Sequence, residues 1–507
     1  MQVEQLKPTL DRQPSPDEGH APAPGKYVEL PEHGHQVMRI FGKNTLWLLL
    51  DRAGLKVGAM LAGLVLVGYL GPANLGVYST AIAVGTLLNA LTDFGITRYA
   101  ARVVSAYPQE APPILALSLT TTLGASLLEL LAIAVAYRTG HWYATCMCLG
   151  FIFTNLEGTS YICTMILSAE LRSRAVLPGS ILSTLGVLVT IGLVLKFHWS
   201  VVGLLTGLTT KALIALLYRL WQVRKYWPSS ALYFMPREFA RLIRSSWHYF
   251  SYSLTQLGYE KVAIISFGLV ATHESVGLFS AALILASIFP SFTYAASDAL
   301  LPVMTRLFEA GRTADLLELR QRLMNLLLVL CVPVGIVLAV FAPQICHLLG
   351  AKYEASASIL RIMASRSLFS VLDNFLGQSG LTAVARVRER RNAQALGLAL
   401  CAILTIAMGY YWGTLGAAWA VLISDAVILV AYFRVYSRIG MAVECSLAWA
   451  CAVAAVAMTA AAFAMPEALW PVRAVVATLV YFGVLALIAR GRLVETAHTF
   501  KQSFISG

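Results

Sequence analysis

Gly76-Val77-Tyr78-Ser79-Thr80-Ala81 and Gly277-Leu278-Phe279-Ser280-Ala281-Ala282 share one pattern at an offset of 201 residues. Each phrase opens an apolar run of about twenty residues. At 1.5 Å per residue that length crosses a hydrocarbon core of about 30 Å. Similar runs recur from Asn44 almost to the C-terminus. Windows of about nineteen residues, broken by charge, Gly or Pro, place spans near 45–70, 76–97, 112–137, 142–168, 175–195, 199–218 and 245–270. Further windows fall near 276–304, 323–348, 355–383, 393–411, 414–433, 445–465 and 471–489. The expected fold is an all-α polytopic membrane protein of about fourteen transmembrane helices.

The repeat offset covers six spans, and an even number returns the chain to the same side. The halves are therefore expected to be parallel repeats about an axis along the membrane normal. That gives an N-lobe over 41–222, a linker over 223–244, a C-lobe over 245–440 and two additional helices over 441–490. Residues 1–40, rich in proline and polar side chains, read as a disordered cytoplasmic tail, and 491–507 as a second tail.

Composition agrees. Of 507 residues, 58% are hydrophobic and 13% charged, with mean hydropathy +0.71, far from a water-soluble domain. The net charge of +12 sits in short tracts between apolar runs rather than on one polar face, which argues against nucleic acid. Assigning the tracts alternately to the two sides places 28 of the 38 basic residues on one face, four on the other and six within spans. The richer face, with Arg219, Arg224, Lys225, Arg237, Arg241 and Arg244, is expected to be cytoplasmic, as are both termini. Loops on the opposite face are short, which disfavours a glycan polymerase or ligase. No P-loop, nucleophile elbow, HExxH or paired-cysteine zinc spacing occurs. No catalytic residue, metal or cofactor is expected.

Ionisable side chains inside a bilayer are costly, and so they face a wet cavity or a partner. Arg52 and Lys56 stand at i and i+4 on one face of span one, with no acid three or four positions away on that face. Lys211, Lys261, Arg361 and Arg366 supply further cations from other spans, and Asp51, Glu260 and Asp425 are candidate coupling acids. The cations form an expected central cavity for an anion; internal ion pairs are the competing reading. Tyr249, Phe250, Tyr252 and Tyr259 could offer ring faces to sugars, or serve as interfacial aromatics.

Tyr69-Leu70-Gly71-Pro72, Leu75-Gly76-Val77-Tyr78-Ser79, Asp93-Phe94-Gly95-Ile96, Val276 through Ala282, Phe341-Ala342-Pro343, Leu349 through Tyr353, Ile359-Leu360-Arg361-Ile362 and Gly413 through Trp419 form one set of phrases. Through them the chain resembles the Wzx-like oligosaccharide flippases, the polysaccharide biosynthesis proteins, in the superfamily that includes multidrug exporters and lipid II flippases. The resemblance implies a flippase in the bacterial inner membrane, carrying a polyprenyl-pyrophosphate-linked oligosaccharide from the cytoplasmic to the periplasmic leaflet for exopolysaccharide, O-antigen or capsule. It implies membrane lipids as surroundings, and a polysaccharide polymerase and a chain-length regulator as partners. Proton or sodium gradients or the membrane potential are the energy sources it suggests, although Lys261 directly after Glu260 departs from the acidic position of many relatives. Drug or cation antiport and lipid II flipping are the alternatives.

Overall fold

The computed structural model describes the backbone of residues 34–106, 110–169, 173–226, 236–441, 443, 447–466 and 470–488, with side chains from residue 62 onward apart from some helical positions. Among the described residues the chain is helical throughout, without strands. The first half holds α1 (Gly34–Thr92), α2 (Ile96–Ala106), α3 (Ala111–Arg138), α4 (Trp142–Ala169), α5 (Ser173–Phe197) and α6 (Val201–Tyr226). The second holds α7 (Pro236–Gly268), α8 (His273–Glu309), α9 (Thr313–Val340), α10 (Ala342–Leu348), α11 (Ser356–Leu372), α12 (Val387–Arg438), α13 (Ala448–Ala464) and α14 (Trp470–Ile488).

Two of these are double. Gly71 has φ 72° inside α1, directly before Pro72, and separates 34–70 from 72–92. A side chain at that φ would strain the backbone, and a proline suits only the start of the helix that follows. Gly413, with φ 60°, divides α12 in the same way. Both breaks fall where the sequence places the end of one span and the start of the next.

By length and composition, eight described helices are apolar enough to cross a membrane, including Ala62–Thr92, Ala111–Arg138 and Val387–Arg438. The criterion passes over α4, which carries Asn155 and Glu157 in its middle, so the total of fourteen stays an expectation of the sequence. Several surfaces are bare hydrocarbon. Leu128 and Leu131 on α3 are 70% and 65% exposed, an arrangement that suits lipid and would be a liability in water.

Cores form both within and across the halves: Phe239 and Leu242 of α7 pack into a core of the first helices, and Ala281 of α8 packs with Leu66, Val77 and Leu205. One core joins Ile96, Ile114, Ile166, Leu216 and Leu242; another joins Phe279, Leu360, Met363 and Val421. The helices α13 and α14 lie against the second half, through Met458 and Tyr481 packed with Met324 and Leu328 of α9. The helix α1 begins at Gly34, inside the stretch expected to be tail, while residues 1–33 and the expected tail over 491–507 lie outside the described residues. α6 runs on to Tyr226 and α7 starts at Pro236, so helix extends into both ends of the expected linker.

Candidate functional site

The two phrases that open the repeat meet face to face. A Cβ on Gly76 would lie 1.8 Å from the carbonyl oxygen of His273 and 3.0 Å from the nitrogen of Gly277. A Cβ on Gly277 would lie 1.7 Å from the carbonyl oxygen of Pro72 and 3.0 Å from the nitrogen of Gly76. Pro72 and His273 are themselves separated by the repeat offset of 201. The contact therefore reads the same from either side, as a local two-fold relation between 72–92 and α8 requires. Only glycine lets these backbones touch, because any side chain would overlap the partner's carbonyl.

Other contacts close the seam at this end. Tyr143 stacks on His273 with centroids 4.8 Å apart. The buried Tyr353 hydroxyl donates to the Val67 carbonyl at 2.7 Å.

At the opposite end, the turn after α1 meets α7. Gly95 approaches the Phe250 backbone so closely that a Cβ would lie 2.3 Å from its nitrogen. Phe94 packs on Phe250, and Tyr99 on Tyr249 edge to face. Arg98 donates to Gln256 at 2.8 Å. Arg241 reaches both carboxylate oxygens of Glu110, at 3.1 Å and 2.9 Å, and also pairs with Glu238 at 2.7 Å. The Glu110 carboxylate raises the pKa of Arg241 above its ordinary value. The aromatic residues Tyr249 and Phe250 thus fill the seam between helices, and the structure gives them packing roles in place of the sugar-facing one; the Tyr252 side chain lies outside the described ones.

Between the two ends, each half carries, among the described residues, an ion pair whose cation is largely buried at mid-depth. In the first half Lys211 on α6 meets Glu157 on α4 at 2.6 Å, with the lysine side chain only 8% exposed. Its stem crosses Gly186, and its ammonium lies 5.6 Å from the Phe153 ring. In the second half Arg366 on α11 meets Asp425 on α12 at 3.0 Å, and the Tyr259 hydroxyl of α7 donates to the same carboxylate. Counted from the helix ends nearest the Gly76 and Gly277 contact, Lys211, Arg366, Asp425 and Tyr259 lie about 14–18 Å deep, half of the hydrocarbon thickness. The pairs occupy helices six expected spans apart with their signs exchanged: acid then base in the first half, base then acid in the second.

The sequence-derived cations therefore separate into three groups. Lys211 and Arg366 are each held by a carboxylate, the internal ion pair that competes with the cavity reading. The cause is the cost of an unpaired charge in low dielectric. Arg361 on α11 is exposed, Lys261 is half-buried and Glu260 is exposed, and none of the three carries a salt bridge among the described residues. Glu260 lies within electrostatic reach of Arg366. Asp51, Arg52 and Lys56 stand on the first half of α1, and their side chains lie outside the described ones.

Two features escaped the sequence. Tyr259 is the third member of the Arg366 and Asp425 group. Residues Asp373–Leu381 form a π-helix in which Gly377 and Gly380 pack against the hydroxyl ends of Tyr432 and Tyr436. The Tyr436 hydroxyl donates to the Leu376 carbonyl at 2.8 Å. Small residues three apart facing tyrosines four apart are the only trace of it in the sequence.

Residues 41–308 match the family model described as polysaccharide biosynthesis protein. The chain belongs to that family. Comparison with curated proteins yields no match. Among solved structures, the fold is similar to that titled lipid II flippase MurJ, inward closed conformation, with TM-score 0.65 and 12% identity over 88% of this chain and 99% of that one. It is also similar to an inward-facing multidrug resistance MATE family transporter of the MOP superfamily, with TM-score 0.58 and 16% identity over 77% and 98%. An outward-facing MATE structure gives 0.55, with 15% identity over 78% and 96%. At these identities the likeness establishes the fold. With this fold and its long apolar helices, the chain is an integral membrane protein.

Proposed function

We propose that the protein is a flippase that moves a polyprenyl-pyrophosphate-linked oligosaccharide from the cytoplasmic to the periplasmic leaflet of a bacterial inner membrane, for surface polysaccharide synthesis. The observation that carries the proposal is the symmetric Gly76 and Gly277 contact. It joins two repeat-related bundles at one end, and the separate contacts around Gly95 and Phe250 join them at the other, so that the two ends can part in turn, as a device that opens alternately to the two sides requires. In this reading that end is periplasmic, the end bearing Arg241 is cytoplasmic, and both termini lie in the cytoplasm.

Arg52 and Lys56, with Lys261 and Arg361, receive the pyrophosphate. Arg366 can exchange Asp425 for a phosphate, leaving the carboxylate held by Tyr259. The polyprenyl chain stays in lipid throughout. An anion moving outward from a negative interior gains about 2.3 kcal/mol per charge per 100 mV. The membrane potential is thus sufficient drive, and a proton or sodium ion taken up near Asp425 or Glu260 is an additional one. A polymerase and a chain-length regulator act on the product.

Drug or cation antiport is the second reading, and it needs an uncompensated buried acid. Glu157 and Asp425 each already face a cation, which favours the anion at those two positions. Alanine at Arg52 and Lys56 tests the choice. Loss of polysaccharide export with unchanged dye efflux supports the proposal; intact export with lost efflux rejects it. A requirement for growth independent of surface polysaccharide would move the substrate to lipid II.

A further inference from the structure

A groove of about 640 Å³ runs along α7, lined by Ala240, Ile243, Arg244 and Trp247. These positions are spaced i, i+3, i+4 and i+7, so its described lining comes from one face of the helix. The lining is apolar apart from the arginine. Trp247 is 56% exposed and stacks on Phe250 at 5.1 Å, the same ring that packs on Phe94 across the seam. The groove therefore runs directly into the junction of the two halves.

The charge at its lip differs from that of its neighbour on the helix. Arg241, one turn earlier, is saturated by Glu110 and Glu238. Arg244 is exposed and has no carboxylate partner among the described residues. An unpaired guanidinium beside an apolar trough matches a ligand with a phosphate head and a hydrocarbon chain, and the tryptophan stands where interfacial aromatics do.

We infer that the α7 groove is a loading site for the polyprenyl pyrophosphate carrier, with its first isoprene units against Ala240, Ile243 and Trp247 and its pyrophosphate on Arg244. This inference rests on the flippase reading and adds the place where substrate waits before entering between the lobes. The adjoining seam is what favours the carrier over an ordinary membrane phospholipid, since only the carrier has to pass through it.

The test uses the full chain in nanodiscs and a polyprenyl diphosphate bearing a photoreactive group near its head, with adducts mapped by mass spectrometry. The expected adducts fall within residues 240–247. Arg244→Gln, at an exposed side chain without a carboxylate partner among the described residues, lowers labelling about tenfold, Arg244→Lys restores part of it, and Trp247→Ala lowers it as well. Excess phosphatidylglycerol leaves the labelling unchanged. Equal competition by phosphatidylglycerol, undiminished labelling of Arg244→Gln, or adducts confined to other helices would overturn the assignment. Translocation by the wild-type protein in vesicles, scored in parallel, separates the two claims. Flipping without adducts on α7 refutes only the loading site, and no flipping at all refutes the function.

Discussion

Replacing Gly277 with alanine adds one methyl group at the point where the two halves touch. The new Cβ would begin 1.7 Å from the Pro72 carbonyl oxygen, and contacts below about 3 Å do not persist, so the helices must part by about 1.3 Å or more. Alanine is intrinsically the better helix former by about 1 kcal/mol, so any loss of the contact arises from the clash. Overpacking of this size costs about 1–3 kcal/mol, borne only by the conformation in which the contact is made. The shift toward the state open at this end is then about 5- to 150-fold. Ser280, one turn along α8 and 1% exposed, supplies the reporter. As a single cysteine in a cysteine-free background, it should react faster with an impermeant maleimide by that factor when Gly277 is alanine. Gly124→Ala on α3, where a Cβ meets nothing within 4 Å, is the control and should leave the rate unchanged. Unchanged reactivity in a correctly folded Gly277→Ala protein would refute the view that this contact holds the end shut.

Further expectations follow from the other contacts. Arg241→Gln removes the bridge to Glu110 at the opposite end, so the same maleimide rate should fall, by up to about fivefold for a partly exposed pair; a rise would contradict the two-ended seam. Lys211→Met strands the part-exposed Glu157 carboxylate and should lower stability by about 1–3 kcal/mol, whereas Lys211→Met with Glu157→Leu should recover most of it, as measured by detergent-solubilised unfolding. Asp425→Asn keeps the shape and frees Arg366. Binding of inorganic pyrophosphate, followed by calorimetry, should tighten, and weakening would argue against exchange of Arg366 between carboxylate and phosphate.

How much of this could be read in advance depended on which physical signal each feature leaves. Apolar length and the glycine and proline punctuation at Gly71, Pro72 and Gly413 mark helices directly, because a bilayer admits little else. The repeat phrase foretold more than symmetry: its glycines are the contact itself. Pairing of charges was harder to foresee. Lys211 and Glu157 are 54 residues apart, and nothing local tells a lysine that faces a cavity from one that faces an acid two helices away. The same holds for Arg366 and Asp425. Tyr259 was legible as an aromatic and invisible as a hydrogen-bond donor, since its partner lies 166 residues on. The π-helix at 373–381 results from packing against Tyr432 and Tyr436, and helix periodicity does not encode it.

The central claim is that a negatively charged, lipid-linked headgroup passes between the two bundles. Its most direct test is the transfer rate of a labelled polyprenyl-pyrophosphate oligosaccharide in proteoliposomes as a function of imposed voltage. The account predicts transfer that requires the protein, accelerates when the side bearing Arg241 is made negative, by at most about 50-fold per charge per 100 mV, and is lost with alanine at Arg52 and Lys56. Absence of transfer, or transport of cationic dye in its place, would contradict it.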